Sequence, residues 1–403
     1  MTGRTSLCCN HPALHDEAKA PSEAPIPEGS PVSRRAGQRL EAIDAARGLA
    51  MIFVCLSHFG ETYFGGARGG AAGALLDALG RVATPSFMMI SGALIGFRHA
   101  TDPASFGPLR QHLVDRALFL LTVAHVVIVA AYVPHYGLRA SLRGTVVTDA
   151  IGVAILVGVW LVPRATVQLR GLLALVTYLA ASLCALGWLP DPRSPAGLLK
   201  HVLVGFREGG ESSLFLYVFP LLQWSAVYLA GTVLGELLLA IPNRSTQARR
   251  LAVLGVCLFS AAALCRVLVG RSLGIAALRD PLSLAHFVAV PGAKLPPGPA
   301  YLALYGGSAL LLLAVALTVE GLWPRLLAPF EIVGRNSLFF YVGQYLVYYS
   351  IFPALHLPVT NAWPLLLVAT MGLLYGATTL WEAAGGKRWL SVGYPWLRAR
   401  EHA

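Results

Sequence analysis

Asp44, Arg47 and His58 sit in a stretch that is otherwise almost entirely apolar, Asp-Ala-Ala-Arg-Gly-Leu-Ala-Met-Ile-Phe-Val-Cys-Leu-Ser-His. Eleven residues separate Arg47 from His58. At about 100° per residue that is three turns plus roughly 20°, and about 16 Å along the axis. The two side chains therefore share one helix face. Ionisable groups inside a membrane are costly and face a pocket or a partner, so the pair marks a candidate site. Asp44 lies three residues before Arg47 and can pair with it. The alternative for this acid and base is simple anchoring of the helix end at the headgroups. His58 lies far from that end. It is either a general base working near neutral pH or a ring bonded to a carbonyl or to the interface.

Other stretches offer polar groups at helical spacing. Residues 81–98 contain Thr84, Ser86, Ser91, Gly92 and Gly96, a small face that allows close helix approach, with Pro85 expected to open the helix locally. Ser91 is a packing residue or an oxyanion donor. Arg98, Arg110 and Arg116 follow in a basic connection, fit either for anchoring or for gripping phosphate oxygens with planar guanidinium forks. His125 falls in the middle of the next apolar run. Further on, Arg335, Asn336 and Ser337 open another run and can cap it or bind an anion. Gln344 follows in that run, and Asp149, Glu236 and Glu320 lie near the ends of others, where interfacial or paired roles are expected.

These residues need elements to hold them. The chain has 403 residues, 56% hydrophobic and only 13% charged. Soluble domains carry about 25% charged residues, so the composition specifies an integral membrane protein. Ten apolar runs of membrane-spanning length are expected near 43–60, 79–97, 113–134, 146–163, 169–189, 213–240, 250–270, 300–322, 332–355 and 362–381. The fold class is thus all-α, a polytopic bundle of about ten transmembrane helices. Three regions are expected: a disordered cytosolic tail over 1–38, a membrane domain over 39–385 and a cytosolic tail over 386–403. Two longer loops, 190–212 and 271–299, read as a lid or acceptor platform.

The net charge of +11 does not point to nucleic acid, because the basic residues are scattered between apolar spans with no basic face or metal-ligand spacing. No metal site is expected. The six cysteines show no disulfide or CxxC pattern; Cys8 and Cys9 lie in the polar tail, and the others in apolar runs. Basic residues concentrate in the tails and even-numbered loops, including Arg98, Arg110, Arg116, Arg164, Arg170, Arg249 and Arg250. That bias places both termini in the cytoplasm.

Three segments together resemble the membrane-bound acyltransferase superfamily, which includes the acyltransferase-3 family, glucan succinyltransferases and the heparan-α-glucosaminide N-acetyltransferase catalytic domain. The first is Arg39-Leu-Glu-Ala-Ile-Asp-Ala-Ala-Arg-Gly-Leu-Ala with His58 following at the family spacing. The second is Thr84-Pro-Ser-Phe-Met-Met-Ile-Ser-Gly, and the third Gly334-Arg-Asn-Ser-Leu-Phe-Phe-Tyr. The resemblance covers roughly 39–381. Two departures stand out. Arg110 and Arg116 are six apart, where acyltransferase-3 members carry Arg-x-x-Arg, and Gln344 stands where many relatives have a His.

What the resemblance implies is acyl transfer, acetyl or succinyl-like, from cytosolic acyl-CoA to a hydroxyl or amine of a sugar or glycan reached across the membrane. Acyl-CoA is then a co-substrate, no cofactor is permanently bound, and the setting is a bacterial inner (plasma) membrane. Arg47, Arg110, Arg116 and Arg335 are the expected donor-binding residues. His58, Asp44, Ser91 and Asn336 are the expected catalytic set, with His58 either taking the acceptor's proton or transiently carrying the acyl group. The rival class is a transporter or exporter of a lipid-linked sugar. Transporters often show paired halves, and no internal symmetry is visible here.

Overall fold

The computed structural model describes residues 41–65, 69–205, 219–280, 283–292 and 294–392. The N-terminal tail with Cys8 and Cys9, Arg39, and the end of the C-terminal tail lie outside them. Every named element is a helix, and nine of them are long and apolar enough to cross a membrane among the described residues.

The chain runs through α1 (Glu41–Phe64), α2 (Gly70–Thr101), α3 (Phe106–Tyr136), α4 (Val147–Leu161), α5 (Val167–Gly187), α6 (Pro195–Val204) and α7 (Leu221–Leu239). It continues through α8 (Arg244–Arg279), α9 (Leu284–Ala289), α10 (Pro299–Leu322), α11 (Ala328–Arg335), α12 (Ser337–Leu355) and α13 (Trp363–Ala383). The expected fourth span is α4, with 15 residues. At 1.5 Å per residue it covers about 22 Å, less than the hydrocarbon core. The expected ninth span is not continuous. Asn336 leaves the helical region (φ −112°, ψ 25°) and divides α11 from α12. The long loops also carry structure: α6 lies within 190–212, while α8 extends beyond Arg271, breaks at Gly274 and leads to α9.

Burial sorts the spans into an inner and an outer set. In α1, α2 and α7, 56% of the apolar window is buried, against 28% in α5, 17% in α13 and 11% in α8. The outer helices display Leu172, Leu183, Val253, Phe259, Leu365 and Leu373 outward. That is the expected surface where the surrounding solvent is hydrocarbon.

Small residues let the inner helices approach. On α2, Gly92 and Gly96 press against the Tyr228 and Thr232 carbonyls, while Gly231 and Gly235 of α7 press back against Met89 and Ala93. Of the small face expected on residues 81–98, Gly92 and Gly96 form a packing seam with α7. A second seam joins α1 to α11. A Cβ on Gly48 would lie 1.9 Å from the Phe330 carbonyl oxygen, and one on Gly334 would lie 1.8 Å from that of Asp44. Pro85 is buried within α2, and Ser86 returns a hydrogen bond to the Val82 carbonyl at 2.7 Å.

Any side chain in the α1–α11 seam must push the two backbones apart. Gly48→Ala and Gly334→Ala are each expected to cost about 1–3 kcal/mol through overpacking. The measurement is a lower melting temperature in detergent; an unchanged one would show that the seam can open freely.

Candidate functional site

One side of α1 forms the wall of a cavity of about 700 Å³ enclosed by α1, α2, α3, α4 and α12. Arg47, Met51, Val54, His58 and Glu61 line it from α1. Their spacing of 4, 3, 4 and 3 is the period that keeps side chains on one helix stripe. Asp77, Gly80, Thr84, Phe87 and Ser91 repeat the same steps on α2, and Ser337, Tyr341, Tyr345 and Tyr349 recur every fourth residue on α12. The cavity thus runs along the helices, with Arg47 near one end and Glu61 near the other.

The Arg47 end is basic. Arg47 donates to Ser337 Oγ at 2.8 Å, lies 3.7 Å from Asp44 and sits 5.5 Å from the centre of the Phe87 ring. Arg116 lines the same end and donates to the Leu390 carbonyl at 3.3 Å, while Asp115 accepts from the Val392 N–H at 3.2 Å. These two contacts draw the segment after α13 over the start of α3. Lys387 and His112 also line this end. Arg335 lines it too, but is clamped by Glu382 at 2.9 and 3.2 Å and by Glu331 at 3.4 Å. The Glu382 hydrogen bonds hold its guanidinium proton more tightly than usual. Arg110 is absent from the lining and stacks on Trp160, 4.8 Å from the ring centre.

Farther along α1, His58 Nδ1 lies 2.9 Å from Gln344 Oε1. An amide oxygen can only accept, so Nδ1 carries the hydrogen in this contact, and in the neutral ring Nε2 keeps its lone pair. Tyr345 and Tyr349 meet the imidazole edge-on, with ring centres 4.8 and 5.3 Å away. Gln344 is fully buried, and its Nε2 has no hydrogen-bond partner among the described residues. One turn beyond His58, the Glu61 carboxylate accepts from Tyr349 at 2.6 Å and from Tyr136. Tyr345 joins Tyr341 at 2.7 Å and Tyr132 at 3.3 Å, so the tyrosines form a linked wall. Beyond it, Lys294 from the segment after α9 lines the far end, 5.5 Å from the Phe219 ring centre. Burial pushes its ammonium below the ordinary lysine range.

Heights along the bundle separate the expected catalytic residues. A Cβ on Gly80 would touch Ser57 Cβ, so Gly80 stands level with Ser57, beside His58. Ser91 lies eleven residues further along α2, about 16 Å nearer the Arg47 end by helix rise. Asn336 is also at that end, buried outside the cavity lining, and its Nδ2 donates to the Ile332 carbonyl at 2.8 Å. Asp44 is buried behind Arg47. The structure therefore groups Asp44, Arg47, Arg116, Arg335, Ser91 and Asn336 toward one end and leaves His58 with Gln344, Glu61 and the tyrosines. His125 takes no part in that group; its Nδ1 meets both Asp149 oxygens, at 2.9 and 3.0 Å.

Sequence reasoning passed over Glu61, the tyrosine wall and Lys294. Two signals were available. Glu61 lies three residues from His58, and Tyr341, Tyr345 and Tyr349 recur at intervals of four.

No curated protein matches the chain. The sequence profile of the heparan-alpha-glucosaminide N-acetyltransferase catalytic family matches residues 39–266, from the motif at the start of α1 into α8. This matched region holds Arg47, Arg116, His58 and Glu61, while Gln344 and its helix lie beyond it. A match over more than half the chain, on a helical bundle with a buried histidine cavity, places this protein in the heparan-alpha-glucosaminide N-acetyltransferase catalytic family of membrane acetyltransferases.

Proposed function

We propose that the protein transfers an acetyl or similar acyl group from cytosolic acyl-CoA to an amine or hydroxyl of a sugar or glycan that enters from the opposite side. The observation that carries this reading is the single cavity joining a basic end to His58 along one face of α1. Arg116 and Lys387, with Arg47 beside them, suit the phosphates of a CoA-type donor, and the stripe past Met51 and Val54 suits its thin apolar arm. Arg335 is a weaker donor ligand because two carboxylates already hold it.

The chemical step needs a base at the acceptor. His58, with Nδ1 committed to Gln344, turns its other nitrogen to that task. It would remove the proton from the attacking nitrogen or oxygen as the new bond to the acyl carbon forms, while the thiol of the donor leaves. Gln344 fixes the tautomer and the ring orientation and acts through His58. In this reading the membrane is a bacterial inner membrane, and the Arg47 end and both chain termini face the cytoplasm.

Three measurements test the reading. Purified, folded His58→Ala is expected to lose at least 10²-fold in acetyl transfer from acetyl-CoA, the usual contribution of a positioned general base; undiminished transfer removes His58 from the chemistry. Arg116→Ala is expected to bind CoA about tenfold more weakly by calorimetry, in keeping with a charged hydrogen bond of about 1.5–3 kcal/mol that is partly screened. Equal affinity takes Arg116 out of the donor site. Gln344→Leu keeps the volume and removes the acceptor for Nδ1–H. Nitrogen NMR of labelled histidine should show the Nδ1–H form in the parent and a mixture in the variant, with transfer reduced and CoA affinity retained.

A further inference from the structure

Arg110 has no place in the cavity lining, and its position needs another account. It lies near the start of α3, six residues before Arg116 and so about 9 Å further out along that helix. Its guanidinium stacks on Trp160 in the last turn of α4, 4.8 Å from the ring centre. A second guanidinium does the same. Arg164, just beyond α4, also lies 4.8 Å from that centre, steered there by a 2.9 Å hydrogen bond from its Nη1 to the Trp160 carbonyl. Among the described residues neither arginine has a carboxylate partner, whereas Arg47, Arg81, Arg170, Arg244 and Arg335 each pair with an acid. Two positive charges gathered on one ring repel each other, and the ring offsets only part of that. An anion beside them relieves it.

The level of Trp160 says which anion is at hand. Its ring is half exposed, and deeper in the bundle Val157, on the same side of α4, and Leu118 of α3 are exposed as well. Two other exposed tryptophans stand at this end of the molecule. Trp389 belongs to the segment that Arg116 holds through Leu390, and Trp323 lies just before α11, whose Phe330 meets Gly48 of α1. Indole rings at one level of a membrane bundle mark the headgroup zone, apolar on one side and wet on the other. Trp160 therefore holds its two guanidiniums where lipid phosphates lie.

We infer that Arg110, Trp160 and Arg164 form a surface site for the phosphate of an anionic phospholipid, whose acyl chains run past Val157 and Leu118. Planar guanidinium forks match phosphate oxygens, and basic clusters between helix ends at headgroup level hold anionic lipids. A zwitterionic headgroup brings its own cation towards the arginines and gains less. Free phosphate would meet the guanidiniums but leave the exposed apolar side chains uncovered, so a lipid fits the whole surface better. The site lies outside the cavity and does not rest on the acyl-transfer reading.

The test is native mass spectrometry of the full chain in detergent, titrated with dioleoyl phosphatidylglycerol or dioleoyl phosphatidylcholine. The parent protein is expected to bind the anionic lipid about tenfold more tightly, in keeping with two arginines at the surface. Arg110→Gln with Arg164→Gln should abolish that preference. Arg249→Gln with Arg250→Gln removes the same charge from exposed positions at the same end and should keep it. Equal binding of the two lipids by the parent overturns the inference without any variant. Equal loss in both double variants also overturns it, because the preference then belongs to diffuse surface charge. Displacement of the lipid by millimolar inorganic phosphate would reveal a free-anion site instead and reject the lipid. Calorimetry with CoA supplies the last arm. Unchanged affinity in the Arg110 and Arg164 double variant supports a separate lipid site, and a tenfold fall would return both arginines to the donor and overturn it.

Discussion

Arg47, His58 and Glu61 project from a helix whose other surfaces are packed against protein, and each would be costly facing hydrocarbon. The requirement that such groups meet either a partner or a wet cavity organises much of the bundle. It explains why α1 lies inside the bundle, why its polar residues keep one stripe, and why the facing stripes of α2 and α12 repeat nearly the same spacing. Helix α13, which carries no such group in mid-span, lies among the outermost and presents apolar side chains outward.

Holding that cavity open and bounded is the work of the glycine seams. Gly48 and Gly334 bring α1 and α11 into backbone contact, and the break at Asn336 follows at once. Because α12 starts afresh at Ser337, the hydroxyl of that residue meets Arg47, and Gln344 two turns later meets His58. The α2–α7 seam plays the corresponding part on the other side, fixing the level of α2 against its neighbours.

The cavity is polarised along its length. Its Arg47 end is rich in guanidinium and ammonium groups, and the segment after α13 folds over it through Arg116 and Asp115. Its middle is aromatic and holds the histidine. Its far end carries Glu61 and Lys294.

The helical class, the spans and the shared face of Arg47 and His58 follow from local rules: hydropathy over about twenty residues and 3.6 residues per turn. Both are properties of short windows, so the chain alone carries them. The same arithmetic could not place Ser91 or Asn336, because periodicity gives direction around an axis and says nothing about which heights of two helices coincide. That was decided by the contact of Gly80 with Ser57 and by the break at Asn336. Gln344 was visible as a departure from the relatives' histidine, but its bond to His58 joins residues 286 positions apart. Glu61, the tyrosines and Lys294 come from four separate segments and become one chamber only when those segments pack. Long-range register, set by where small residues let backbones touch, is the part that belongs to the tertiary structure.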